Sequence, residues 1–300
     1  MPGVGQRVAG RYRIARPLGS GGLGRVWLAV DEMLHRDVAI KKCAPPDGLA
    51  PDERELLRSW MPIEARAAGR VSHPNVIRIY DVLPGRGEPW IVMEYVPSRS
   101  LLEVIKESGP LGVGRLAGIG LALLAALEAA HRLGVLHLDV KPSNVLIADD
   151  GRVVLTDFGP AVTGEAIAAL ARRGMMFGSP NYVSPERLFD GAATAQADLW
   201  SLGATLYHAV EGRPPYVRET SADTLRALAG SPPDRIRLAG PLTPVLDGLL
   251  RRDPGTRMTA AEAEARLSEL TAVSSHPAPA VRRGPAPGPA ARGLVRRSGR

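Results

Sequence analysis

The chain has 300 residues, 45% of them hydrophobic, which is enough apolar side chain for one large or two modest cores and too much for a wholly disordered polymer. Its single cysteine, Cys43, excludes an internal disulfide framework; with no charged-then-apolar leader at the N-terminus, the expectation is a reducing, cytoplasmic setting and a buried, inert thiol. The net charge of +7 suggests an anionic partner, but six arginines and no acid lie within 274–300, so the rest of the chain is nearly neutral and no nucleic-acid partner is expected.

In chain order, residues 1–11 are a short N-terminal segment. From residue 12 the pattern is strand-like and punctuated by turns, with β-prone runs at 12–17, 26–30, 38–42, 77–82 and 90–94. Helical text interrupts it only over 52–71. Proline cannot donate a backbone hydrogen bond, so Pro62 predicts two helical pieces with a kink between them and Pro62 in the first turn of the second. Beyond residue 100 apolar helical patterns dominate, at 116–133, 195–211, 242–251 and 260–270. The uncharged stretch 116–127 is too short to span a bilayer and reads as a buried helix. The fold class that follows is α+β in two lobes: a small antiparallel sheet with one helix over 12–96, and a larger, mainly helical lobe over 97–273. Residues 274–300, rich in proline, alanine and arginine, cannot bury enough apolar surface to offset ordering and are expected to be disordered. They read as a solvated linker; the sharper alternatives are an arm for acidic partners or anionic surfaces, or a lead to a membrane span outside this chain.

Gly19, Gly21 and Gly24 form G-x-G-x-x-G, a weak signal that equally opens a dinucleotide-binding unit. Context favours a strand-loop-strand flap, because 25–31 is β-prone rather than helical and the next apolar run ends in Lys41. Farther on, Asp139, Lys141 and Asn144 sit in His137-Leu138-Asp139-Val140-Lys141-Pro142-Ser143-Asn144, and Asp157-Phe158-Gly159 follows a hairpin-like stretch. With Glu64 and Ser184-Pro185-Glu186, these elements stand in the order of the protein-kinase signatures. Over about residues 12–272 the chain resembles a bacterial serine/threonine protein kinase of the eukaryotic-like type.

The resemblance implies ATP and Mg2+, with Mn2+ as an alternative ion, and protein substrates; it leaves a homodimer open. Leu18, Gly19, Ser20, Gly21, Gly22, Gly24 and Val26 would cover the nucleotide, with Ala39, Met93, Glu94 and Val96 around the adenine. Lys41 would contact the α- and β-phosphates, oriented by Glu64, while Lys42 points to the other face. Asp139 would take the acceptor proton, Lys141 would steady the γ-phosphate, and Asn144 and Asp157 would ligate the metal. His137 is expected to pack beneath Phe158. Asp198 would receive amides of the catalytic loop, and Glu186 would pair with Arg257. Lys141, with Gly178-Ser179-Pro180, points to serine and threonine acceptors. There are two departures from the family. Leu138 stands where an arginine usually grips an activation-segment phosphate, and residues 164–178 contain no serine, threonine or tyrosine. Both favour an enzyme independent of that phosphate, with Thr163 and Ser179 the flanking candidates; the rival is a catalytically silent nucleotide-binding scaffold.

Overall fold

The computed structural model describes residues 3–21, 24–44, 50–83, 88–158 and 180–274. The glycine-loop tip, the segment 159–179 with Thr163 and Ser179, and the basic tail, for which disorder was expected, lie outside the described residues.

The small lobe is a six-stranded antiparallel sheet of β1 (Arg7–Val8), β2 (Tyr12–Gly21), β3 (Gly24–Asp31), β4 (Arg36–Cys43), β5 (Ile79–Leu83) and β6 (Trp90–Glu94), in the order β1-β2-β3-β4-β6-β5. Alternation puts Tyr12, Ile14, Trp27, Ala29, Val38, Ile40 and Val92 into one cluster, as period-2 patterning requires. The N-terminal segment is not merely a lead-in, because Arg7 and Val8 pair with Arg13 and Tyr12 as an edge strand. At the turn between β3 and β4, the buried Asp31 carboxylate takes both Nε and Nη2 of Arg11 at 2.7 Å and the amides of Met33 and Leu34.

The lobe's helix, α1 (Pro51–Ala68), runs unbroken through Pro62, so the expected division into two pieces is corrected. Proline removes one intrahelical bond and crowds one turn. Met61, Ala65 and Ala68 lie buried around and beyond it, and that tertiary packing keeps both halves in one element.

The lobes meet where β7 (Ser98–Ser100) joins β8 (Val145–Ala148) and β9 (Val153–Leu155) in a second, three-stranded sheet. Residues 75–77, the last of which was expected to begin the strand over 77–82, strap that lobe to β9, and the strand itself starts at Ile79. Ile77 donates to the Leu155 carbonyl at 2.9 Å, Leu155 donates to that of Asn75 at 2.8 Å, and the Asn75 side chain donates to Val153.

The larger lobe contains α2 (Leu101–Ser108), α3 (Val113–His131), α4 (Pro185–Asp190), α5 (Ala195–Glu211), α6 (Ser221–Gly230), α7 (Thr243–Leu249) and α8 (Ala260–Ser274). Helix α2 starts at a reciprocal Ser100–Glu103 capping box. The expected buried stretch 116–127 lies within the 19-residue α3, which by length and composition alone could cross a membrane. Its packing is that of a core helix, with Leu116, Leu123 and Leu127 fully buried and contacts to α5 and α8. Each such leucine stabilises the fold by about 1.5–3 kcal/mol. Helix α5, buried along almost its whole length, is the axis of the lobe.

Asp31 gives a testable pH dependence. Its hydrogen bonds from Arg11, opposed by burial, lower its pKa from 3.8 to about 2. A carboxyl depressed on folding stabilises above its unfolded pKa and loses that contribution as pH falls toward its folded one. Melting temperatures from pH 5 to pH 2 should therefore fall more steeply for the parent than for Asp31→Asn. Parallel curves would refute the assignment.

Candidate active site

Strand β4 carries Lys41 into the gap between the lobes, because alternation sends its neighbour Lys42 to the opposite face, where it pairs with Glu88 at 2.7 Å. Lys41 Nζ meets Asp157 Oδ1 at 2.8 Å, and Asp157 is fixed by following β9 directly. Burial pushes the Lys41 pKa down, but Asp157 together with Cys43 and Asp139 more than offsets this, so the net shift is upward. For Asp157 burial acts upward most strongly, but Lys41 together with His137 and Lys141 outweighs it, so the net shift is downward. Both stay charged at neutral pH. Glu64 belongs to α1, but its side chain is outside the described residues, as are the side chain of Ser20 and the whole of Gly22.

The glycine-rich segment is a strand-loop-strand flap, with Ser20 facing Arg25 and Gly21 facing Gly24 across β2 and β3. Gly24 has φ +139°, and a Cβ there would overlap the Lys42 carbonyl oxygen. Glycine at this position is therefore demanded by the β3–β4 ladder itself. Gly19 faces open space, and Leu18 is half-exposed. Behind the flap, Val26, Ala39, Met93 and Val96 cluster with Ile77, Leu146, Ala148 and Val154, forming an apolar wall suited to a flat base. Leu146 and Val154 are additions to the expected set. The period-2 step from Asn144 to Leu146 was the signal available for the first. The Glu94 side chain is held by Arg152 at 2.6 Å, and its amide donates to the Arg78 carbonyl at 2.8 Å. A cavity is lined by Lys41 and Asp157 together with Cys43, Met61, Met93 and Phe158, and Cys43 is buried as expected.

In the catalytic loop, Lys141 Nζ lies 2.7 Å from Asp139 Oδ2. Asn144 Nδ2 donates to the same carboxylate at 3.0 Å and to the Asp139 carbonyl at 2.9 Å. The two charge pairs share one cleft: the field of Asp139 reaches Lys41, and that of Lys141 reaches Asp157. His137 is buried against Phe158, with ring centroids 4.6 Å apart, and Nε2 faces the Thr156 carbonyl at 3.1 Å. Burial lowers its pKa, so the ring is neutral. Asp198, on α5, accepts the amide of His137 at 2.9 Å, the amide of Leu138 at 2.6 Å and His131 Nε2 at 2.8 Å. Leu138 and Asp157 both have positive φ, +59° and +55°, and these sparsely populated conformations flank the reactive groups.

The oxygens of Asp157 and Asn144 are hard donors. No group of three or more His, Cys, Asp or Glu that could cage a metal occurs among the described residues. Magnesium with a nucleotide needs only one or two protein oxygens, the phosphates and water supplying the rest, so this sparse donor set fits a phosphate-borne ion.

Below the cleft, Glu186 on α4 forms a two-pronged pair with Arg257 at 2.6 and 2.9 Å. Arg187 beside it, which no sequence motif marks, is also buried and donates from Nη1 to the Leu138 carbonyl.

A protein kinase domain model matches residues 12–266. The chain belongs to the protein kinase domain family. A kinase-domain structure of PknI from Mycobacterium tuberculosis superimposes with a TM-score of 0.68 and 28% identity, covering 90% of this chain and 99% of that one. The chain is 36% identical to serine/threonine-protein kinase PrkC of Bacillus subtilis over 73% of its own length and 33% of PrkC. It is 36% identical to serine/threonine-protein kinase PknA of Mycobacterium tuberculosis over 72% of its length and 50% of PknA. The chain thus spans about a third of the length of PrkC and half that of PknA.

The Glu186–Arg257 pair has side-chain exposures of 8% and 0%. Arg257→Met strands a buried carboxylate and should lower the unfolding free energy by about 3–5 kcal/mol. Glu186→Leu combined with Arg257→Met should lose less, since no charge is left unpaired. Urea unfolding measures both; a double variant no more stable than the single one would contradict the pairing.

Proposed function

We propose that this chain transfers the γ-phosphate of Mg-ATP to serine or threonine hydroxyls of proteins. The observation carrying this reading is the meeting in one cleft of Lys41–Asp157 with Lys141–Asp139–Asn144. Phosphoryl transfer asks the protein mainly for position and charge. Lys41 binds the phosphates nearest the base, and the apolar wall from Val26 to Val96 takes the adenine. Asn144 and Asp157 would hold magnesium, which spreads the phosphate charge. Asp139 accepts the hydroxyl proton, its carboxylate already oriented by Asn144 and Lys141, and Lys141 is released toward the γ-phosphate as charge moves. Support for serine and threonine acceptors comes from Lys141 and from the names of PrkC and PknA.

The same reading makes activity independent of an activation-segment phosphate. Leu138 is 2% exposed, its apolar side chain packs with Leu136, Ala193 and Ala197, and it has no charge with which to hold a phosphate. Thr163→Ala should therefore keep the parent rate, and an obligatory phosphate at Thr163 would overturn this part.

The direct assay incubates the purified chain with labelled ATP, magnesium and a generic basic protein. Lys41→Ala and Asp139→Asn should each lower transfer on the order of 10²-fold or more. A parent that binds nucleotide yet transfers nothing would instead establish a silent scaffold.

A further inference from the structure

Arg187 is a buried cation left unused by the mechanism above. It is the third residue of α4 (Pro185–Asp190) and is 7% exposed. Its Nη1 donates to the carbonyl oxygen of Leu138. That carbonyl shares a peptide group with the N–H of Asp139, which donates to His137 Nδ1 at 3.2 Å. The peptide immediately before Asp139 is thus held at both ends, and the preceding N–H, that of Leu138, is held by Asp198. A leucine at φ +59° persists only where surrounding contacts over-determine the backbone. Here those contacts are Asp198 on the amide side and Arg187 on the carbonyl side.

A guanidinium in such a place is not incidental. Burial disfavours its charge, and the carboxylates of Asp198 and Asp139 oppose that effect. An arginine does not escape by deprotonating, so the cation is retained beside acids that offset part of its burial. The preceding residue, Glu186, ties the same helix to Arg257. Consecutive side chains therefore fasten α4 to the floor of the lobe and to the catalytic loop.

We propose that Arg187 is a positioning residue, a built-in cation whose hydrogen bond to the Leu138 carbonyl holds Asp139 in register for proton acceptance whatever the phosphorylation state of the chain. The inference rests on the role given to Asp139 above. A clamp made by an arginine at 138 would need a phosphate from the activation segment to complete it; a clamp made by Arg187 is complete on folding.

The test uses the full chain with Mg-ATP and a basic protein acceptor, with and without prior phosphatase treatment. Steady-state kinetics, thermal unfolding and hydrogen exchange of the catalytic-loop amides are followed together. Arg187→Met should lower kcat about 10- to 10²-fold, as a small misplacement of a reacting group does. The KM for ATP should not change, because the groups assigned to base and metal, the apolar wall with Lys41, Asn144 and Asp157, do not include the Leu138–Asp139 peptide that the clamp holds. Exchange at the Asp139 amide should accelerate, Arg187→Lys should recover part of kcat, and phosphatase should leave the parent rate unaltered. If Arg187→Met does not fold, Arg187→Gln is expected to give the same split. A folded neutral variant with the parent's kcat, or a parent whose rate collapses on phosphatase treatment, overturns the inference while leaving the kinase assignment standing. A parent that transfers no phosphate at all overturns both.

Discussion

The arrangement turns on one buried carboxylate. Asp198, fully buried near the start of α5, accepts the backbone amides of His137 and Leu138 and faces His131. A buried anion is tolerable only when its lone pairs are met, and here they are met by the loop that carries Asp139 and Lys141. The cost of burying the charge is thereby converted into a fixed loop geometry, including the positive φ of Leu138. Because α5 is also the axis of the larger core, the loop inherits the rigidity of the best-packed helix in the molecule.

The small lobe contributes by register. Lys41 reaches the cleft because β4 is paired on both sides, with β3 and β6, so its side-chain direction is set by alternation and cannot slip without inverting the lobe's core. Asp157 is delivered by β9, whose backbone is strapped to Asn75 and Ile77 of the small lobe. The Lys41–Asp157 contact therefore spans two lobes already tied together beside it. A second charge pair, Glu94 with Arg152 at 2.6 Å, also joins the small lobe to the larger one.

Much of this was legible in the sequence because the chemistry demands particular residues in a particular order. Alternating apolar residues marked the strands β2 to β4 and β6, and long apolar runs marked α3 and α5, the latter at the bounds observed. The Asp198 and Glu186–Arg257 anchors followed from resemblance and stand in the structure as hydrogen-bonded pairs. What escaped was tertiary in origin. Pro62 sits inside α1 because packing outweighs one missing bond, a balance that local propensity does not register. Ile77 looks like the start of a strand, yet it pairs across to β9 and the strand begins at Ile79. The two-residue β1 is too short for any periodicity. Arg187 has no motif, since its meaning lies in the Leu138 carbonyl 49 residues away. The capping box at Ser100 was a usable local signal for α2 that the apolar pattern alone did not supply.

The dependence on Asp198 is open to one direct measurement. Asp198→Asn keeps the size of the side chain and one acceptor but removes the charge and the second acceptor. Nucleotide affinity, measured by titration with Mg-ATP, and phosphoryl transfer to a protein acceptor are determined on the same folded preparation. Binding should persist, because the groups that hold the nucleotide lie elsewhere, while transfer should fall by about 10²-fold as Asp139 loses its fixed position. A folded Asp198→Asn enzyme that transfers phosphate at the parent rate would contradict the account.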